Sequence, residues 1–251
     1  MNIQIYGTDP RLKYCKERLI RESYRALPDM IILPVPSTRD GVTVNGTDVT
    51  VESVVRSAPC GSAIVCYGFP RDLRQIASER AIAVIDVSRD EELLLANADL
   101  TAVGTVGRIL TEDACAPSGL SIGIIGYGRI GQRLLYILSF LGARITVFTS
   151  KKELRKDLCM LGISGVDSTS LEEAGEESLS SLDILINTAP ARLIPASFEI
   201  SSELRIIELA SGDNMPPGTV CERFMSVPAT MYPKSAGEAL AESVLRILGE
   251  G

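Results

Sequence analysis

The stretch that decides the fold is Ile122–Arg133, whose sequence is IGIIGYGRIGQR. It contains the pattern Gly-x-Gly-x-x-Gly at Gly126, Gly128 and Gly131. Glycine is common, so the pattern alone is weak evidence. Here it follows an apolar strand, opens an apolar helix and precedes a second strand from Arg144. The first glycine permits a tight turn, the second lets backbone approach a pyrophosphate, and the third permits close helix–strand packing. The stretch therefore predicts a strand–turn–helix unit that binds a dinucleotide.

The amides at the start of such a helix are expected to hold the diphosphate. We therefore predict cofactor contacts at the six turn residues Gly126, Tyr127, Gly128, Arg129, Ile130 and Gly131. The alternative is a tight turn that binds no ligand.

The end of the second strand indicates which dinucleotide binds. An NAD-binding chain usually carries Asp or Glu there, to accept hydrogen bonds from the ribose. This chain instead has Thr149, Ser150 and Lys151, followed by Lys152. Hydroxyls and lysines suit a 2′-phosphate, which a carboxylate would repel. We predict NADP(H), with NAD as the alternative. The lysines could also be a solvated helix start, although cations there oppose the helix dipole.

Ligands of open α/β sheets bind at the carboxyl ends of the strands. This rule adds five candidate cofactor contacts after the third and fourth strands of this half: Thr188, Ala189, Pro190, Ala210 and Ser211. The alternative is that these residues only form loops.

Strands and helices alternate along the whole chain, which is typical of parallel βαβ units. Strands are predicted at 3–6, 30–35, 63–67, 81–85, 121–125, 144–149, 183–187 and 205–209, with a weaker one near 224–227. Helices are predicted at 11–23, 71–79, 89–110 and 234–248, and residues 37–50 are expected to form a loop or hairpin. We expect the closing helix 234–248 to pack on the first domain or on the linking helix 89–110.

Turn-forming residues at 111–119 mark a domain boundary. The predicted fold class is therefore α/β with two domains. Residues 1–115 form a smaller, flavodoxin-like α/β domain that includes the linking helix. Residues 116–251 form a Rossmann-type doubly wound parallel sheet that includes the closing helix.

Composition excludes several classes of function. The 45% hydrophobic and 23% charged content is that of a globular protein, and the net charge of −7 gives no reason to expect a nucleic-acid partner. No apolar run approaches the roughly 20 residues of a membrane span, and no signal peptide is evident, so we expect a cytoplasmic protein without a membrane partner. The absence of histidine excludes imidazole chemistry. Six cysteines without a CxxC pair are expected to be reduced and to fill core gaps, and we predict no metal site.

The second half is similar to D-2-hydroxyacid dehydrogenases across residues 126–132, 187–190 and 208–212. Those enzymes carry an arginine where Ser211 stands, followed by a glutamate and a histidine. Because this chain has no histidine, their chemistry is excluded.

The sequence resembles more closely the family formed by the nicotinamide-dependent chain of dipicolinate synthase. The matching segments are Ile31–Val35, Asn97–Leu110, Gly126–Gly131, Asp183–Pro190, Leu209–Ser211 and Ser226–Gly237. The resemblance implies a nicotinamide-dependent oxidoreductase that oxidises a dihydrodipicolinate-type cyclic dicarboxylate to dipicolinate, a metabolite of sporulation. Together with the residues after the second strand, it predicts an NADP(H)-dependent enzyme of this type. It also implies that a small flavoprotein is the partner, as the second subunit of the enzyme. We further expect a homo-oligomer.

The resemblance also suggests which residues meet the substrate in a cleft between the domains. Candidates for carboxylate recognition are Ser37, Thr38 and Arg39, and candidates for catalytic roles are Lys234, Ser235 and Thr105. Each of them could instead be a solvated loop residue.

Two departures from the family leave a second function open. The family's linking helix has a Thr-x-Glu-Gly element, whereas this chain has Val103 in place of the carboxylate. The first domain is also short between residues 37 and 60. The alternative function is therefore that of a diverged, non-catalytic dinucleotide-binding protein, which would act as a sensor or as the partner of another chain.

Overall fold

The computed structural model describes residues 2–22, 27–168, 179–198 and 200–249. The fold is α/β, and the described strands form two parallel sheets, one of four strands and one of six. The chain divides into two compact units. The first unit contains residues 1–97 and 228–251, and the second contains residues 98–227.

The first unit is built on the four-stranded sheet. Its elements are β1 Ile3–Ile5, α1 Arg11–Arg21, β2 Met30–Ile32, α2 Val51–Ser57, β3 Ala63–Cys66, α3 Arg74–Glu79, β4 Ala83–Asp86 and the start of α4 Glu91–Glu112. Alternate strand residues face opposite sides, because side chains of a strand alternate. Ile32 and Val65 pack in one core with α1, whereas Ile31 and Ile64 pack in another with α2 and α3.

The helix starts agree with the local sequence. The helix α1 begins after Pro10, as predicted; the last residue of the prediction, 23, lies outside the described residues. The side chain of Thr50 accepts a hydrogen bond from the Ser53 amide and caps α2. A short helix of this kind was not predicted, because the polar stretch before it suggested only a loop or hairpin. That stretch contains one antiparallel bridge, Thr43 to Thr50.

The strand order of the first unit is β1-β2-β3-β4. A flavodoxin-like sheet has the order 2-1-3-4-5, with its first strand inside the sheet. The flavodoxin-like prediction is therefore corrected. Here β1 has three residues, and among the described strands it pairs with β2 alone, so it is the edge strand of this sheet.

After α7 Val227–Met231, the chain ends in α8 Pro233–Gly249, which belongs to the first unit. Its apolar side chains enter the same core as those of α1; they are Leu240, Ala241, Val244 and Leu245. The domain boundaries predicted from sequence placed this helix in the second domain, whereas the structure places it in the first unit. The helix returns to the first unit because its apolar stripe completes that unit's core, in keeping with the expectation that it packs on the first domain.

The second unit is built on the six-stranded sheet. Its elements are β5 Ser121–Ile125, α5 Arg129–Phe140, β6 Arg144–Phe148, α6 Lys152–Met160, β7 Ser164–Val166, β8 Ile184–Asn187, β9 Arg205–Glu208 and β10 Glu222–Arg223. The order is β7-β6-β5-β8-β9-β10, and every described pair is parallel. Numbered within the unit, this is the 3-2-1-4-5-6 order of the doubly wound dinucleotide-binding fold. The predicted Rossmann-type sheet is confirmed.

Buried side chains cover both faces of this sheet. Ile124, Val147 and Ile186 lie in one core, and Phe148 and Leu185 lie in the other. The weak strand predicted near 224–227 is found two residues earlier, at β10. Ser226 has a φ of 57°, a conformation that ends an extended segment before α7 begins.

The helix α4 is long and apolar enough, by length and composition alone, to cross a membrane. Core helices of globular proteins meet the same criterion. Ala102, Val106 and Ile109 of α4 are buried in the core of the second unit, so its apolar character is explained by packing.

Candidate dinucleotide-binding site

The three glycines of the turn have the geometry that the motif requires. Gly126 has a φ of 91°, and an added Cβ would lie 2.8 Å from the Thr188 hydroxyl oxygen. A Cβ on Gly131 would lie 2.3 Å from the Gly126 carbonyl oxygen. A Cβ on Gly128 would meet nothing within 4 Å. Gly126 and Gly131 therefore build the turn, whereas Gly128 leaves open space in front of it.

The turn lies where the strand order of the sheet reverses. It follows β5, whose neighbours are β6 on one side and β8 on the other. Ligands of open α/β sheets bind at this switch point. Gly128 is the N-cap of α5, and the first hydrogen bond of the helix runs from the Gln132 amide to the Gly128 carbonyl. Amides before Gln132, such as those of Ile130 and Gly131, have no acceptor within the helix and can bind a diphosphate.

Neighbouring side chains hold the turn. The Thr188 hydroxyl donates to the Ile125 carbonyl at 2.9 Å, and the Gln132 side-chain amide donates to the Tyr127 carbonyl at 3.3 Å. Thr188 was predicted to contact the cofactor; the structure places its hydroxyl on the backbone of the turn.

A buried polar pair missing from the sequence-based site joins the next two loops. Asn187 ends β8 and Glu208 ends β9, and each residue is about 1% exposed. The Asn187 amide nitrogen lies 3.0 Å from both Glu208 carboxylate oxygens. The same Asn187 side chain bonds the amide and the carbonyl of Ala189, and Glu208 accepts from the Ala210 amide. The pair thus fixes the predicted contact loops 188–190 and 210–211. Polar residues at the ends of apolar strands were the available signal.

Within those loops, the predicted residues differ in exposure. Pro190 and Ser211 are exposed, Ala189 is half-buried and Ala210 is buried. The loop after β9 is held by Asn214, whose side chain donates to the Ser211 carbonyl. Pro190 and Ser211 are the positions open to a ligand.

The end of β6 is organised differently from the prediction in one respect. Thr149 is 5% exposed, and its hydroxyl accepts from the Lys151 amide at 3.3 Å. Thr149 therefore helps to shape the start of α6. Its hydroxyl is buried and is not available to a ribose. Ser150, Lys151 and Lys152 are exposed, so their side chains are available to a phosphate.

Sequence reasoning missed two charged residues beside this strand end. Arg155, on α6, donates to the Thr149 carbonyl at 2.8 Å and pairs with Asp167 at 2.6 Å. Asp167 directly follows β7, a short strand that was not predicted. The signal was obscured because Ser164–Val166 contains a single large apolar residue.

The candidates for carboxylate recognition in the first unit differ in their exposure to solvent. Ser37 is fully buried; its hydroxyl donates to the Pro34 carbonyl and accepts from the Tyr67 amide. The Thr38 hydroxyl donates to Asp40, whereas Arg39 is exposed. The prediction of Ser37 as a substrate contact is therefore corrected: its hydrogen-bonding capacity is used inside the fold.

Asp40 orders the same loop. The side-chain hydrogen bond from Thr43, followed by bonds from the Val42 and Thr43 amides and from Thr38, holds the pKa of Asp40 well below its usual range. The loop that carries Arg39 is thus organised by a carboxylate that is ionised at neutral pH.

Of the three predicted catalytic residues, two are accessible. Lys234 and Ser235 are exposed in the first turn of α8. Thr105 is fully buried, and its hydroxyl donates to the Thr101 carbonyl one helical turn earlier. The catalytic role predicted for Thr105 is corrected to a packing role.

The cysteines are free in the structure, as predicted. Cys15 and Cys66 are buried, and burial raises the pKa of the Cys15 thiol to about 12. They fill core space, whereas Cys60, Cys115 and Cys159 are exposed.

A cavity of about 530 Å³ lies in the second unit, away from the glycine turn. Its walls include Leu204 and Arg205 at the start of β9 and Cys221 and Glu222 at the start of β10. These are the amino ends of the strands, whereas dinucleotides bind at the carboxyl ends. The cavity is therefore not the cofactor site.

Known proteins match this chain in structure but not in sequence. No protein-family model matches the chain, and no curated protein sequence matches it. Among solved structures, a dipicolinate synthase chain from Bacillus halodurans has a TM-score of 0.79 at 19% identity, over 100% of this chain and 98% of that one. The corresponding dipicolinate synthase chain from Bacillus subtilis has a TM-score of 0.77 at 19% identity, over 100% and 96%.

A more distant match is the NAD-complexed D-isomer specific 2-hydroxyacid dehydrogenase from Lactobacillus delbrueckii ssp. bulgaricus. Its TM-score is 0.52 at 13% identity, over 100% of this chain and 98% of that one. Both resemblances expected from sequence are thus confirmed as likenesses of fold. The chain therefore shares the fold of these dipicolinate synthase and dehydrogenase chains.

Proposed function

We propose that this chain is an NADP(H)-dependent oxidoreductase that oxidises a dihydrodipicolinate-type cyclic dicarboxylate to dipicolinate. The observation that carries the proposal is the turn after β5, where Gly126 and Gly131 are required by packing and Gly128 leaves room for a ligand. The first amides of α5 supply the donors for a diphosphate.

The choice of NADP(H) is supported by the residues after β6. Ser150, Lys151 and Lys152 are exposed there, and no carboxylate occurs among them. Lysine ammonium groups attract a 2′-phosphate, whereas a ribose diol gains less from them. NAD(H) remains the alternative cofactor.

The substrate class is supported by exposed donors in the first unit. Lys234 and Ser235 lie in the first turn of α8, where a carboxylate is favoured by the helix dipole, and Arg39 is exposed. In the reaction, the dihydropyridine ring would lose a hydride to the oxidised nicotinamide and a proton to water, and would become aromatic. Because aromatisation favours the product, the protein's task is mainly to orient the ring.

The second candidate is a dinucleotide-binding protein without turnover, which acts as a sensor or as the partner of another chain. It is favoured by the burial of Thr105 and Ser37, which removes two of the residues expected to meet a substrate. The exposed Val103, where the resembling family has a carboxylate, favours it as well.

The proposal extends to the surroundings of the chain. It includes a flavoprotein as the second subunit, assembly into a homo-oligomer, a cytoplasmic location and a role in sporulation. Copurification and size-exclusion chromatography of the native protein would test the first two.

A turnover assay separates the two candidates. Wild-type protein is mixed with NADP⁺ and the freshly formed cyclic dicarboxylate precursor, and reduced nicotinamide is followed by absorbance. The proposal predicts turnover, with KM for the dicarboxylate raised about tenfold or more in Lys234→Ala, because one charged contact contributes about 1.5–3 kcal/mol. Cofactor binding without turnover would favour the sensor.

A further inference from the structure

The pair formed by Arg155 and Asp167 lies at the ribose end of the proposed cofactor site. Asp167 follows β7, and Thr149 follows the adjacent strand β6; the Thr149 amide donates to the Val166 carbonyl at 3.0 Å. The position of Asp167 is therefore one strand away from the place where an NAD-binding chain usually has its acidic residue.

Two contacts fix the Arg155 guanidinium in place. One nitrogen donates to the Thr149 carbonyl at 2.8 Å, and another lies 2.6 Å from a carboxylate oxygen of Asp167. The backbone of α6 also approaches β7 closely, since a Cβ on Gly165 would lie 3.1 Å from the Arg155 Cα. The Arg155 and Asp167 side chains are 18% and 33% exposed, so the pair is partly shielded from water.

The charge balance at this edge depends on the pair. An unpaired carboxylate near the ribose would repel a 2′-phosphate, whereas a paired one contributes little net charge. With Asp167 paired, the positive charges of Lys151 and Lys152 are left to act on the phosphate.

We propose that Arg155 is a specificity-determining residue that makes the site tolerant of a 2′-phosphate by neutralising Asp167. The inference rests on the proposed dinucleotide-binding function. It goes beyond the exposed lysines, because it assigns cofactor choice to an ion pair that does not itself have to touch the cofactor.

The test measures affinities for NADPH and NADH by calorimetry at low ionic strength. Arg155→Ala should lower the NADPH-to-NADH affinity ratio by about tenfold, because the positive charge 2.6 Å from the Asp167 carboxylate is removed. Asp167→Asn should leave the ratio unchanged or raise it. The double variant removes both charges and should return to within about threefold of wild type.

Three controls make the result specific. Arg155→Lys keeps the charge and should keep the preference. Arg56→Ala removes one member of an exposed ion pair in the first unit and should leave the ratio unchanged. Melting temperatures identify any variant that fails to fold. If Arg155→Ala does not fold, Arg155→Gln, which removes the charge but keeps a hydrogen-bond donor, carries the test with the same expected loss.

The outcomes separate this inference from the proposed function. If wild type binds neither dinucleotide, the proposed function fails. If wild type binds both, but Arg155→Ala weakens NADPH and NADH equally, the inference is overturned while the function stands. A lower NADPH preference in Asp167→Asn would also overturn it.

Discussion

At the scale of single residues, the Asn187–Glu208 pair is the most deeply buried side-chain contact described at the site. A carboxylate that is about 1% exposed depends on the donors that face it, and Asn187 supplies a donor to both oxygens. We predict that Asn187→Leu lowers the free energy of unfolding by about 2–4 kcal/mol, because the buried Glu208 side chain then keeps only the Ala210 amide as a donor among the described residues. The Ala189 backbone also loses its side-chain partner. Urea denaturation followed by circular dichroism measures this change.

Asn214 provides a matched control for that substitution. It is also buried, but its side chain makes a hydrogen bond to the neutral Ser211 carbonyl. Asn214→Leu should therefore lose about 1 kcal/mol. Equal losses in the two variants would show that the contact with Glu208 contributes nothing special.

At the scale of elements, the closing helix α8 depends on one glycine. A Cβ on Gly237 would lie 2.4 Å from the Arg11 carbonyl oxygen and 2.7 Å from the Tyr14 Cβ. Gly237→Ala should therefore force α8 away from α1 and lower the free energy of unfolding by about 1–3 kcal/mol, although alanine favours helix. Gly249→Ala on the same helix, with nothing within 4 Å, is the control in the same urea titration. An unchanged stability of Gly237→Ala would contradict the close packing.

An ion pair on the edge strand β10 should make the stability of the fold depend on pH. The pKa of Glu222 is lowered, chiefly by a hydrogen bond from Arg205. Burial opposes this shift, and the positive charges of Arg205 and Arg108 add to it. A lowered folded-state pKa gives stability that is present above the unfolded value and lost as pH falls through the folded value. Glu222→Gln should therefore lose less melting temperature than wild type between about pH 5 and about pH 3. If the melting temperatures of wild type and Glu222→Gln fell equally with pH over this range, the ion pair would not stabilise the fold.

The elements found from sequence are those with strong apolar patterns. The strands β5, β6, β8 and β9 were predicted to within one residue at each end, because parallel strands covered on both faces contain nearly continuous apolar runs. The elements α2, α7 and β7 were missed, and α6 was anticipated only as a possible helix start at Lys151 and Lys152. α2 is seven residues long and follows a polar loop, and β7 is three residues long, so neither shows a clear period in sequence.

At the scale of the whole molecule, the sequence predicted the glycine turn better than the side-chain contacts around it. The glycine turn could be located because glycine requirements follow from backbone geometry. The buried states of Thr105, Ser37 and Thr149 could not, because a hydroxyl suits either a ligand or a nearby backbone group. The Arg155–Asp167 pair needed the register of β7, and the return of α8 to the first unit needed the tertiary fold.

The turn after β5 is the proposed dinucleotide site on which the function depends, and calorimetry of wild type and Gly128→Val with NADPH tests it most directly. A side chain at 128 points into open space, so the variant should keep its melting temperature within about 2 °C. We expect micromolar or tighter binding by wild type and a loss of at least about a hundredfold in the variant, because the side chain fills the diphosphate's place. Undiminished binding by a folded Gly128→Val, or no binding by wild type, would contradict a dinucleotide at this turn.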